Sequence, residues 1–186
     1  PGGYGYYAEF RPNNKFKKFG LTYYDNEGNF VKRSDFIRKK GLTQHTYGLV
    51  YNANYKDDSW DVLGGVNLQQ FRSGHFGYLT YIANEGANAQ FRANGDYQYY
   101  DSDARKNDYS AFVKATLHLN EAWDIFGDVQ YRHVGYKTDG KNDKFYEQPD
   151  GTYKNQMLNI DEQYNFVNPK AGITFHQDGH KAYFSS

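Results

Sequence analysis

Along four stretches of the chain, apolar and polar side chains alternate with a period of two. In residues 46–55 the odd positions are Tyr47, Leu49, Tyr51, Ala53 and Tyr55, against Thr46, Gly48, Val50, Asn52 and Asn54. Residues 60–71 set Trp60, Val62, Gly64, Val66 and Leu68 against Asp61, Leu63, Gly65, Asn67 and Gln69. Residues 109–119 set Tyr109, Ala111, Val113, Ala115, Leu117 and Leu119 against Ser110, Phe112, Lys114, Thr116 and His118. Residues 123–133 set Trp123, Ile125, Gly127, Val129 and Tyr131 against Asp124, Phe126, Asp128, Gln130 and Arg132. This period places each set on one face of a β-strand. No Asp, Glu, Lys or Arg falls on an apolar face.

The flanks extend the pattern. Residues 3–10 alternate with Tyr4, Tyr6, Ala8 and Phe10, and residues 166–176 carry Ala171, Ile173 and Phe175 on one face. Asp25-Asn26-Glu27-Gly28-Asn29 is a turn signal inside a hairpin over residues 19–38. Gln177-Asp178-Gly179 makes another tight turn, after which residues 181–186 begin a further strand. Six to eight strands are expected, joined by tight turns at 56–59 and 120–122 and by long loops over roughly 72–108 and 138–165.

Alternation alone also suits a soluble sandwich. Strand length argues otherwise: about ten residues, against the ~5–6 common in soluble sheets and the ~9–11 a spanning strand needs. Short turns alternating with long loops are a feature of outer-membrane barrels. Trp60 and Trp123 follow tight turns, and Tyr47 to Tyr55, like Trp123 to Tyr131, is eight residues. Those eight residues cover roughly 26 Å of strand, and about 20 Å along the normal at a tilt of ~40°, close to an apolar band bounded by aromatic girdles. The pattern therefore predicts an all-β fold, an antiparallel transmembrane β-barrel segment. An open sheet edge in hydrocarbon leaves backbone groups unpaired, so further chain or further copies are needed to close it, and the ragged ends favour further chain.

Composition changes this picture little. The chain has 186 residues, no Cys, 20 Tyr and 14 Phe, and its 22 basic and 22 acidic residues cancel. Balanced charge argues against a nucleic-acid partner, which needs a basic face. A mean hydropathy of −0.97 excludes a helical membrane protein better than a barrel, whose strands show lipid only every second residue. The sequence starts at Pro1 with no apolar leader, so any export signal is expected outside it.

Five strings occur in order: Asp35-Phe36-Ile37-Arg38, Gly64-Gly65-Val66-Asn67, Gly74-His75-Phe76-Gly77, Asp128-Val129-Gln130-Tyr131-Arg132 and Asn168-Pro169-Lys170-Ala171-Gly172, followed by Ala182-Tyr183-Phe184-Ser185. Together they resemble the barrel of TonB-dependent outer-membrane receptors of the Bacteroidetes type, over most of residues 20–186. The resemblance implies a barrel of about twenty-two strands around a plug, located in the bacterial outer membrane. It also implies energised uptake of a scarce nutrient such as a metal chelate, vitamin or glycan. Residues 1–186 would form part of one such barrel domain, without the plug. The implied partners are outer-membrane lipid, the rest of the receptor including the plug, TonB through the N-terminal part, and a small ligand.

Candidate chemistry lies on loops and on the polar face. Asp96-Tyr97-Gln98-Tyr99-Tyr100-Asp101-Ser102-Asp103 offers rings to stack on a ligand at Tyr97, Tyr99 and Tyr100, with carboxylates at Asp101 and Asp103. Its spacing does not match a calcium loop of the EF-hand type, and a solvated loop is the blander reading. His75 is a further ligand-contact candidate, against a structural place near a strand end. If the turn at 120–122 pairs Leu119 with Trp123, Lys114 faces Asp128 and His118 faces Asp124 as charge pairs of a lumen wall. Asp139-Gly140-Lys141-Asn142-Asp143 reads as a plain turn.

No zinc-type His pair, nucleophile elbow, Walker loop or dinucleotide fingerprint is present. Ser110 and His118 lie eight residues apart on one strand, about 26 Å, too far for a dyad. Neither catalysis nor a cofactor is expected. Two alternatives to transport stay open: a soluble, secreted carbohydrate-binding module with Tyr47, Leu49, Trp60, Val62 and Leu68 in a core, and a small self-contained barrel of the adhesin or porin kind, which requires its end strands to pair.

Overall fold

The computed structural model describes residues 2–186, with side chains described from residue 5 onward. The fold is all-β: seven strands form one antiparallel sheet in chain order. They are β1 (Gly2–Lys15), β2 (Arg33–Lys56), β3 (Trp60–Ile82), β4 (Tyr97–His118), β5 (Trp123–Glu147), β6 (Tyr153–Gln177) and β7 (His180–Ser185). A 3-10 turn over Phe16–Phe19 follows β1, and a short helix α1 (Glu85–Phe91) joins β3 to β4. The strand count, the strand at the N-terminal flank and the final hairpin are as the alternation predicts. β1 and β7 stand at the two ends of the strand order, and among the described residues β1 pairs with β2.

The tight turns are set by side chains that cap backbone N–H groups. Asp57 Oδ1 accepts from the N–H of Ser59 and of Trp60 at 2.8 and 2.7 Å. Asn120 Oδ1 does the same for Ala122 and Trp123 at 2.9 and 3.0 Å. Short Asx side chains satisfy a turn's free donors in this way. At the third turn Asp178 and Gly179 both have positive φ, 46° and 79°, the pair of values that a two-residue hairpin matched to strand twist requires.

The long loops expected over 72–108 and 138–165 do not exist. β3 continues to Ile82 and β4 begins at Tyr97, leaving α1 and a few flanking residues between them; β5 continues to Glu147 and β6 begins at Tyr153. These outer portions carry polar side chains on both faces, so hydropathy shows no period there. Their backbone is nevertheless paired strand to strand. Asp139–Asp143, read as a plain turn, lies inside β5, where Gly140 takes φ 118° and comes close to the Asp101–Ser102 backbone of β4. Asp35–Arg38, expected before the first long strand, lies inside β2.

The chain divides into two compact units. One comprises residues 1–45, 71–105 and 137–161 and holds the buried apolar cluster. Phe16 and Phe19 of the 3-10 turn pack on Phe36 of β2 with ring centroids 5.1 and 4.7 Å apart, and Leu79, Ile82, Ala87 and Tyr99 complete the contact. Phe16, Phe19, Phe36, Leu79 and Ile82 are fully buried, each contributing roughly 1.5–3 kcal/mol. Asn84 caps α1 by accepting the N–H of Ala87 at 2.9 Å. The turn signal at 25–29 is present as a loop closed by a Tyr24–Phe30 bridge, with Asp25 accepting from the N–H of Glu27 and Asn29.

The other unit comprises residues 46–70, 106–136 and 162–186. No residue of the buried apolar cluster belongs to it. Its alternating face, read from the sequence as apolar, is uncovered: Tyr47, Leu49, Trp60, Leu68, Ile125 and Val129 are all exposed.

Candidate functional site

β4 opens on Tyr97, Gln98, Tyr99, Tyr100 and Asp101, and these line a groove of about 320 Å³ with Gly140 and Lys141 of β5 and Asn155 and Met157 of β6. Four of the six ligand candidates are thus gathered at one place, though not as an exposed loop. Tyr99 and Tyr100 are buried, with ring centroids 5.1 Å apart, and both rings lie against Gly77, where only an absent side chain leaves room. Tyr99 also meets Phe19 edge-on at 5.3 Å. Both line the groove, but their burial means that the expectation of freely exposed stacking rings fails for these two. Their burial follows from the cluster under them, whose members come from distant parts of the chain. Tyr97 is half-buried and packs on Phe91.

Polar groups tie the groove together. Asn155 Nδ2 donates to the carbonyls of Tyr99 and of Asn142, each at 2.8 Å, linking β6 to β4 and β5. Lys40 Nζ lies 2.6 Å from Asp143 Oδ2 and 5.3 Å from the Tyr100 ring centroid. Burial, with the Asp143 carboxylate adding to it, pushes the Tyr100 phenol up to about 12. Burial raises Tyr99 further, against a smaller opposing pull from the Arg38 guanidinium. Both phenols are neutral donors over the whole physiological range. In the sequence Lys141 and Asp143 read as parts of a plain turn and nothing local marks Lys40, Asn155 or Met157, because residues brought together from three strands leave no local signal.

The acidic residues do not converge. Asp96 is held by Arg92 at 3.0 Å, Asp101 borders the groove, and Asp103 lies at a separate open trough beside Thr43, His45, Arg72 and Arg105. Among the described residues no group of three or more His, Asp or Glu is disposed to hold a metal ion. His75 belongs to neither hollow; its Nε2 is 3.1 Å from Ser73 Oγ.

On the polar face of the second unit, the Leu119 N–H bonds the Trp123 carbonyl at 2.9 Å, the pairing inferred from the turn. His118 Nδ1 accordingly lies 2.7 Å from Asp124 Oδ1, and His176 of β6 adds a second contact to the same carboxylate at 3.2 Å. Lys114 and Asp128 form no ion pair among the described residues; the Lys114 ammonium lies 5.8 Å from the Phe126 ring centroid instead. A stronger pair escaped the sequence reading. Arg132 holds Asp108 with two parallel bonds, Nε to Oδ1 at 2.9 Å and a terminal nitrogen to Oδ2 at 2.6 Å. Compared with known proteins, the chain matches no family model, no curated protein and no solved structure.

Proposed function

We propose that this chain is a section of the wall of a bacterial outer-membrane β-barrel, of the TonB-dependent receptor type, serving uptake of a small ligand rather than catalysis. The observation that carries the reading is the uncovered face. Tyr51, Val66, Val113 and Val129 keep 63, 37, 56 and 52% of their surface. Apolar burial is worth roughly 25 cal/mol per Å², and soluble monomers rarely expose extended apolar patches. Hydrocarbon is a solvent in which such a face carries no cost. Strands of 22 to 25 residues exceed the ~9–11 that a crossing requires, which leaves length for paired, polar extensions outside the bilayer.

Within this reading β1 and β7 pair with further strands, since an open edge in lipid costs several kcal/mol per unpaired group. The groove of Tyr97, Asp101, Lys141 and Asn155 is the surface that meets ligand. The soluble-module alternative needs Tyr47, Leu49, Trp60 and Leu68 in a core, and all four are exposed. A self-contained barrel needs β1 against β7, and the strand order places them at opposite edges. The deciding experiment is phase partition of the full chain. Recovery with detergent or bilayer vesicles, and protection of residues 46–55 and 123–133 from protease there, is expected. A monodisperse, folded chain in detergent-free buffer overturns the reading.

A further inference from the structure

A row of basic side chains, three of them cations, crosses four neighbouring strands on one face of the first unit. A Cβ built on Gly74 would lie 2.9 Å from Thr43 Oγ1 and 3.3 Å from Asp103 Oδ1, so Thr43, Gly74 and Asp103 stand abreast on β2, β3 and β4. Two residues further along these antiparallel strands, on the same face, His45, Arg72 and Arg105 stand abreast in turn. Gly140 faces Ser102 across β5 and β4, which by the same count sets Lys137 opposite Arg105. All four line one open trough of about 590 Å³.

Like charges directly opposite across strands destabilise a sheet. Here Arg72, Arg105 and Lys137 are consecutive, with no carboxylate in the row. The acids, Asp103 and Asp139, stand one step away in the same trough, which leaves the cations in excess by one, and Lys137 Nζ is 3.8 Å from Asp139 Oδ2. Arg105 is exposed. Two guanidinium forks and an ammonium converging on a trough are the donor set for a phosphate group.

We infer that this trough holds the phosphate of a membrane amphiphile's headgroup, an inference that rests on the outer-membrane reading above. An amphiphile is favoured over free phosphate by the order of side chains along the strands. In β2 the alternate positions run Thr43, His45, Tyr47, Leu49; in β3 they run Arg72, Gln70, Leu68, Val66. Charge gives way to apolar surface within two steps, and a molecule carrying phosphate next to hydrocarbon matches that succession.

The test titrates the full chain in detergent micelles with diphosphorylated lipid A, reading adducts by native mass spectrometry. Arg72→Gln, Arg105→Gln and Lys137→Gln should each weaken binding roughly fivefold, and the triple variant roughly a hundredfold. Asp103→Asn, which removes an opposing charge without removing a donor, should strengthen it. Inorganic phosphate at equal concentration should not displace lipid A. A triple variant that binds like the wild type overturns the inference, as does a site that phosphate fills equally well. Flotation with phosphatidylcholine vesicles separates the two readings. A chain that floats but does not discriminate lipid A sinks this inference alone, whereas one that does not float sinks the membrane reading and this inference with it.

Discussion

The ring of Phe112 on β4 lies over Gly65 on β3, where a Cβ would come within 2.6 Å of it. Gly172 on β6 is covered in the same manner by Phe126 on β5. A glycine inside a strand exposes backbone and contributes no packing, and an aromatic ring from the neighbouring strand supplies both. Gly65→Ala should therefore push aside both the ring and the Asn52 side-chain oxygen, which lies closer still, and destabilise by about 1–3 kcal/mol, the usual range for overpacking. In a Phe112→Leu background the same substitution should cost much less, because neighbours sharing one space are not additive. Urea unfolding of the four variants measures the coupling; equal costs in both backgrounds show that the ring and the glycine do not interact.

Asp108 and Arg132 form the best-oriented ion pair of their unit. Asp108 is buried while half of the Arg132 side chain stays exposed, so solvent screens the pair and its coupling should be small but measurable. A double-mutant cycle with Asp108→Asn and Arg132→Met reads this directly. Asp108→Asn keeps one acceptor oxygen and should retain part of the stability. A coupling of zero shows that the bidentate geometry contributes nothing.

The part of this fold legible in the sequence is the part where one strand face is apolar. Tyr47 through Tyr55 or Trp123 through Tyr131 announce themselves by alternation, and Asp57, Asn120 and Asp178-Gly179 mark turns by local chemistry. Beyond those stretches the rule fails for a physical reason: Arg72 to Thr80 and Lys137 to Lys144 belong to strands because of ladder hydrogen bonds, and hydropathy does not record them. Asp139–Asp143 has turn composition yet is held in β5, its Gly140 fitted against the β4 backbone. The tyrosines of the candidate site were recognisable as a group. Their burial was not, since Phe19, Phe36 and Leu79 reach them from far along the chain.

The turn at Asp57 is sensitive to acid in one direction only. Hydrogen bonds from the N–H groups of Ser59 and Trp60, then from the Tyr55 hydroxyl, hold the Asp57 carboxyl below its ordinary value. A carboxyl lowered on folding contributes stability above its unfolded value of about 3.9 and loses it as pH falls through the folded value. Neutral and mildly acidic pH should therefore leave the turn closed. Asp57→Asn, which cannot ionise, should flatten the acid limb of the stability curve. Acid limbs of identical shape in the variant and the wild type would show that the charge is irrelevant there.

At the alkaline end the sign reverses. The Tyr100 phenol is raised to about 12 and Tyr99 is raised as well, chiefly by burial. A phenol raised on folding contributes its stability fully below the unfolded value of about 10, and that contribution is lost as pH rises towards the folded value. Alkaline titration followed by ultraviolet absorbance should show Tyr99 and Tyr100 among the latest of the 20 tyrosines to ionise, together with unfolding. Tyr99→Phe and Tyr100→Phe should each remove one of them and move unfolding to higher pH. A number of late phenols that falls in neither variant would place the buried pair elsewhere.

Val129 and Gln130 are neighbours on β5 that point to opposite faces, and both are exposed. In water an arginine at either position is a surface substitution, worth less than about 0.5 kcal/mol. In a bilayer the two differ. An arginine facing lipid near the midplane costs ~2–4 kcal/mol, whereas substitutions facing a barrel lumen are tolerated. Val129→Arg should thus destabilise the chain in vesicles by that amount while Gln130→Arg stays close to the wild type. The exposed Val113 of β4, on the same alternate set, should behave as Val129 does, with Lys114 indifferent to replacement by Arg. The asymmetry must disappear when the comparison is made between two adjacent exposed sites of the first unit, such as Tyr146→Arg and Glu147→Arg on β5, which lie outside the apolar stretches. If Val129→Arg and Gln130→Arg have equal effects in vesicles, the face carrying Val129 is bathed by water, and the membrane reading fails on the strand where its alternation is clearest.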